Sequence, residues 1–171
     1  MKILMIIAPE NFQDKEFFEP KEIFEEEDFE VIVASKFVKV AKGMGGRETE
    51  VDLSLEQVKT DEYDAVVFVG GSGAVRYQED NEALRIAKES KKVLAAICIA
   101  PTILAYAGVL EGKKATVWNE DGKQGNLLES KGAEFVDESV VVDGKLITGN
   151  GPEAAREFGE KIVKVLKKKG L

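Results

Sequence analysis

Val93-Leu94-Ala95-Ala96-Ile97-Cys98-Ile99-Ala100-Pro101 is an apolar run that ends on the chain's one cysteine, with a proline three residues beyond it. An unbroken apolar stretch of this length reads as a strand buried on both faces, as a parallel sheet requires. Proline at 101 suits the first turn of a helix, where its missing N–H goes unused. A strand passing into a helix through one outward-pushed residue is the layout of a nucleophile elbow, with Cys98 at the bend and small Ala100 in the crowded turn.

Outward from this run the chain alternates strand-like and helix-like segments. Residues 2–8, 30–35 and 65–69 read as strands, the first almost continuously apolar. Phe17, Phe18, Ile23 and Phe24 form an inward helical stripe around Pro20, which predicts a kink or a late helix start. Residues 81–90 and 101–107 read as helices, 115–118 as a short strand, and 125–131 as a helix ended by Gly132. Residues 140–142 and 145–148 form a hairpin across Asp143-Gly144, and 152–168 a long closing helix. Lysines 167–169 at its end meet the negative pole of the macrodipole. Gly43, Gly45 and Gly46 around Met44 predict a flexible loop at a pocket rim or a subunit face. The alternation predicts one α/β domain over residues 1–171, a mostly parallel sheet with helices on both faces. Ligands of such folds sit at the carboxyl ends of the strands, where Cys98 and the Gly70-Gly71-Ser72-Gly73 turn both fall.

Composition narrows the function. The net charge is −8, so neither nucleic acid nor an anionic membrane is an expected partner. No apolar stretch approaches a membrane span, and Met1 leads directly into a strand, which predicts no signal peptide and a cytoplasmic address. A single cysteine rules out an internal disulfide, as suits a reducing compartment. The chain has no histidine, so no Cys-His or Ser-His-Asp arrangement can form within it or across identical subunits. Charged residues, mostly Glu and Lys, reach 33%, a thermophile-like balance. No metal and no cofactor are expected.

Cys98 admits two readings: a small buried hydrophobe, as most free cysteines are, or a nucleophile whose thiolate the following helix N-terminus stabilises, lowering its pKa. The glycine turn admits three. It could be only a tight turn, or a phosphate loop, although the Gly-Lys-Ser/Thr ending is missing. It could also be an oxyanion hole in which the Gly71 amide and the Ile99 amide aim at one point. Most acids between residues 10 and 30 belong to a solvated face. Glu16 differs, because Phe17, Phe18 and Pro20 place it beside the apolar side, where burial would raise its pKa and let it share a proton with a thiolate. Trp118 is either a pocket wall or a core residue; Arg76 and Tyr77 line the pocket or a subunit contact.

Taken together these residues resemble the ThiJ/PfpI family over essentially the whole chain. The resemblance is carried by Glu16 four residues before Pro20, the Val69-Gly70-Gly71 turn, Ala95-Ala96-Ile97-Cys98 followed by Ala100-Pro101, the Ala107-Gly108-Val109-Leu110 helix exit, and Gly151-Pro152. It implies a flavodoxin-like three-layer sandwich and a homodimer or higher homo-oligomer. Cys98 would be the nucleophile, Glu16 its hydrogen-bonding acid, and the Gly71 and Ile99 amides the anion site. Gly70, Ser72, Arg47, Trp118, Asn119 and Asn150 would lie in or near the pocket. The departures are as informative. Ile99 stands where peptidase-like members place a histidine, Trp118-Asn119-Glu120 where others bring one, and Asn150 where some have arginine. The activity implied is that of a cysteine-dependent glyoxalase or deglycase acting on 2-oxoaldehydes of the methylglyoxal type, or on their protein adducts. A second implication is an oxidative-stress sensor or chaperone-like protein whose Cys98 is oxidised to a sulfinate. An intracellular cysteine peptidase or amidase ranks last, since protonating an amine leaving group without imidazole would fall to Glu120 or another subunit's carboxylate.

Overall fold

The computed structural model describes residues 1–169. Residues 170 and 171, part of the 1–171 domain expected from the sequence, lie outside the described residues. The elements in chain order are β1 (Lys2–Ile6), β2 (Glu10–Phe12), α1 (Asp14–Glu26), β3 (Glu30–Ser35), β4 (Val40–Gly43), β5 (Glu48–Glu50), β6 (Leu53–Ser54) and β7 (Ala65–Phe68). Then come α2 (Asn81–Glu89), β8 (Val93–Ile97), α3 (Pro101–Tyr106), β9 (Lys114–Ala115), α4 (Gln124–Ser130), β10 (Glu134–Phe135), β11 (Val140–Asp143), β12 (Leu146–Gly149) and α5 (Ala155–Lys169).

Seven strands form the central sheet in the order β11-β12-β8-β7-β1-β3-β6. All neighbours run parallel except the edge pair β11-β12. The pleat sends alternate residues to opposite faces. From β1, Leu4 and Ile6 join a core with Ala83 and Ile86 of α2, Ile103 and Leu104 of α3, and Leu128 of α4. Ile3 and Met5 join the opposite core with Phe17 and Phe24 of α1 and Phe158 and Ile162 of α5. The result is a mostly parallel sheet covered by helices on both faces, as the strand-helix alternation predicts, and the flavodoxin-like three-layer sandwich that the resemblance implies.

Four local readings are corrected. Of the two expectations for Pro20 the late start is overturned, since α1 runs through it from Asp14. Proline removes one internal bond, and buried packing of Phe17, Pro20, Ile23 and Phe24 holds the helix across the gap. The expected strand at 115–118 shrinks to β9, paired with β10 in a separate two-stranded sheet. The hairpin turn sits one residue later than predicted: Asp143 pairs with Leu146, and Gly144 takes the positive φ of +62° that a primed two-residue turn needs at its first central position. The glycine-rich stretch at 43–46 is an ordered hairpin end, because β4 pairs with β5 and with β2. Asp14 accepts the Gly45 amide at 2.8 Å and the Arg47 amide at 3.1 Å there.

No helix among the described residues is long and apolar enough to cross a membrane.

Candidate active site

The end of β8 delivers Cys98 at the sheet's carboxyl edge with φ +65°, a left-handed conformation that costs a non-glycine residue roughly 1–2 kcal/mol. Two backbone bonds hold it there: the Cys98 amide donates to Gly149 O at 2.9 Å, and the Trp118 amide donates to Cys98 O at 2.8 Å. Behind the bend, Thr102 donates its hydroxyl to Ile99 O at 2.6 Å and accepts from Gln78 at 2.7 Å. Cys98 itself is half-buried.

Glu16 comes from the first turn of α1 and is fully buried. Its amide is capped by the Gln13 side chain at 3.0 Å, and its Oε1 accepts the Gly70 amide at 3.1 Å. Its Oε2 is buried without a hydrogen-bond partner among the described residues, and the Cys98 thiol lies close enough to the carboxyl group to favour its charged form. Burial pushes the carboxyl up from its ordinary 4.5 to about 8, against the lowering effect of the bonds from Cys98 and Gly70.

The thiol is also raised. Burial is the largest cause, followed by the charge of Glu16 and the hydrogen bond to it, while the Ile99 and Gly71 amides pull the other way. This corrects the expectation of a thiol lowered by the helix N-terminus. α3 has only six residues and begins three positions beyond the sulfur, and burial beside a carboxylate outweighs its weak end. The pair titrates as a unit. While Glu16 is protonated it carries no charge to oppose a thiolate and can donate to one.

Gly71 has φ +110°, and the turn leaves no room for a side chain: a Cβ would sit 2.5 Å from Gln13 N. The bare backbone therefore packs against the residues that lead into α1, and the Gly71 and Ile99 amides are the backbone groups that favour the thiolate.

Cys98 opens into a cleft of about 910 Å³. Gly71, Ser72, Ile99, Trp118, Asn119 and Asn150 all line it, whereas Gly70 lies behind the thiol against Glu16. Arg47 does not reach the cleft. Its guanidinium stacks 3.6 Å from the centroid of Phe18 of α1, a cation–π contact that engages it there. Tyr77 likewise turns away, donating to Ile7 O at 2.8 Å. Met44 lines the cleft too, at the rim expected for it, and so do residues that the sequence reading missed: Gln13, Val75, Asp137 and Glu153. Only Gln13 carried a signal, standing where a helix cap would precede Asp14. No three His, Cys, Asp or Glu side chains converge as a metal site among the described residues.

The sequence pattern of the DJ-1/PfpI family matches residues 1–165. The chain belongs to the DJ-1/PfpI family. It is 36% identical to the protein named deglycase PfpI of Pyrococcus furiosus, over 98% of this chain and 100% of that one. It is 41% identical to an uncharacterized Methanocaldococcus jannaschii protein, over 98% of this chain and 83% of the other. Among solved structures, a ThiJ/PfpI domain protein from Brachyspira murdochii superposes with a TM-score of 0.92 at 35% identity, covering 98% of this chain and 96% of that one. Within this DJ-1/PfpI chain the elbow, the buried acid and the glycine turn form one connected site.

Proposed function

We propose that the protein is a cysteine-dependent, deglycase-like enzyme acting on 2-oxoaldehydes such as methylglyoxal, or on their adducts. The observation that carries this reading is the coupling of Cys98 to a buried Glu16 carboxyl raised to about 8, with the Gly71 and Ile99 amides facing the sulfur. Relatives named deglycase support it.

The chemistry needs only these groups. Once the pair has lost one proton, the Cys98 thiolate adds to the aldehyde carbon. A C–S bond forms, and the carbonyl π pair moves to oxygen, which the two amides steady until it is protonated to give a hemithioacetal. Glu16 as carboxylate takes the proton from that carbon and returns it to the neighbouring one through an enediol, leaving a 2-hydroxyacyl thioester. Water cleaves the thioester, releasing the 2-hydroxy acid and restoring the thiol. Peptide hydrolysis fits less well, because no imidazole is present to protonate an amine leaving group.

The test is lactate formation from methylglyoxal by the native chain, Cys98→Ala and Glu16→Gln, each checked for folding. Turnover lost in both variants is the expected result. A folded native protein with an intact thiol and no turnover would overturn the proposal. A clean gain of two oxygens at Cys98 under mild peroxide would then favour a redox sensor.

A further inference from the structure

In the segment that leads to Trp118, only Lys114 and Ala115 belong to a strand; residues 116–118 belong to none. Every second amide along it nevertheless finds an oxygen. Lys114 N donates to Asp143 Oδ2 at 2.9 Å, Thr116 N to Thr148 Oγ1 at 2.9 Å, and Trp118 N to Cys98 O at 2.8 Å. An extended chain turns alternate N–H groups to one side. Here that side is met by two side chains of the β11–β12 hairpin and by the elbow itself.

The middle link is the enclosed one. Thr116 and Thr148 are both fully buried, so losing Thr148 Oγ1 would leave the Thr116 amide unsatisfied, a costly state for a buried donor. Thr148 stands in β12 one residue before Gly149, whose carbonyl accepts the Cys98 amide at 2.9 Å. Both backbone ties of Cys98 therefore lead to neighbouring residues of one strand. One is direct, to Gly149; the other runs through Trp118 and Thr116 to Thr148. A non-glycine residue stays left-handed only where its surroundings over-determine it, and these two ties do so for Cys98 at φ +65°.

We infer that Thr148 is a positioning residue for Cys98. Its hydroxyl oxygen fixes the 116–118 segment, and through the Trp118 amide it holds the elbow in the conformation that keeps the sulfur beside Glu16. Thr148 acts through that segment and not on the sulfur. The inference concerns the backbone that carries Cys98 and goes beyond the carbonyl chemistry proposed for it.

The experiment compares Thr148→Val, which keeps the shape and removes the acceptor, with Thr148→Ser, which keeps the acceptor. Trp118 is the chain's one tryptophan and Cys98 its one cysteine. Acrylamide quenching of tryptophan fluorescence therefore reads the segment, and alkylation by iodoacetamide reads the elbow. Burial is the largest cause holding the thiol's pKa up, so a relaxed elbow offers a more reactive sulfur. In fully folded protein, Thr148→Val is expected to raise both the quenching constant and the alkylation rate severalfold, and Thr148→Ser to return both to native values. Asp143→Ala frees the Lys114 amide at the exposed end of the same segment; it should lower the urea midpoint yet leave both readings native. Should Thr148→Val fail to fold, Thr148→Ala carries the same comparison, its smaller side chain leaving room for water at the Thr116 amide. Native quenching and alkylation in a folded variant without the hydroxyl overturn the inference, as does an equal change in Asp143→Ala, which would mark general loosening. Neither reading needs a substrate, so absent methylglyoxal turnover would count against the proposed function alone.

Discussion

The Gly70 amide donates to Glu16 Oε1 at 3.1 Å, so the glycine turn grips the buried carboxyl directly. A methyl group at Gly70 would sit 2.5 Å from that oxygen and 2.7 Å from Cys98 Cβ. Gly70→Ala is therefore expected to push acid and thiol apart, lowering kcat by an order of magnitude or more and costing about 1–3 kcal/mol through overpacking. Steady-state kinetics alongside urea unfolding reads both; native kinetics in the variant would refute the tight coupling.

Glu16 also fixes the direction of two pH effects. Its folded value, about 8, lies above the ordinary 4.5, so between those limits the folded state binds a proton that the unfolded chain has released. The stability from this group is complete below about 4.5 and is lost as pH rises toward 8, with a limiting slope of about 1.4 kcal/mol per pH unit. Glu16→Gln should flatten that slope in unfolding curves taken from pH 5 to 9. Asp64 and Asp80 are lowered instead, so their contributions fall away on the acid side of that window.

Activity should run the opposite way. The thiolate becomes available as the pair gives up its first proton, so kcat/KM for methylglyoxal is expected to climb up to about tenfold per unit below pH 8 and then level. A profile flat from pH 6 to 9 would contradict a shared proton.

The elbow's backbone makes a prediction about stability. Cys98→Ala and Cys98→Gly both remove the sulfur, but glycine adopts φ +65° without strain. Cys98→Gly should exceed Cys98→Ala in stability by about 1 kcal/mol, measurable as a higher urea midpoint, with both inactive.

Asp14 pins the hairpin that carries Met44 to the cleft rim, its carboxylate accepting hydrogen bonds from the backbone N–H groups of residues 45 and 47. Asp14→Ala is expected to cost about 1–2 kcal/mol and to speed proteolysis within residues 43–47, seen by mass spectrometry of limited digests.

The sheet was legible because strands covered on both faces must be apolar throughout, as Ile3–Ile6, Ala65–Phe68 and Val93–Ile97 are. β2, β4 and β5 were not: Glu-Asn-Phe, Val-Ala-Lys-Gly and Glu-Thr-Glu are held by backbone pairing and mostly exposed, which leaves no apolar pattern. Cys98, Glu16 and the glycine turn stood out by residue type and neighbours. Arg47 misled because its sequence neighbourhood says nothing of the Phe18 ring that captures it. Asp137 and Glu153 reach the cleft from the ends of distant loops, a convergence that only the folded chain displays.

The buried carboxyl has one more consequence. With no imidazole in the chain, Glu16 is a group whose titration burial brings toward neutrality, enclosed beside the sulfur rather than spread over the surface. A drift in ambient acidity around that point is registered at the Cys98–Glu16 pair, while the formal charge of −8 that governs solubility and encounters gains no histidine contribution. Under the proposed chemistry, such a molecule would answer its surroundings from within its core, with little change in the face it shows them.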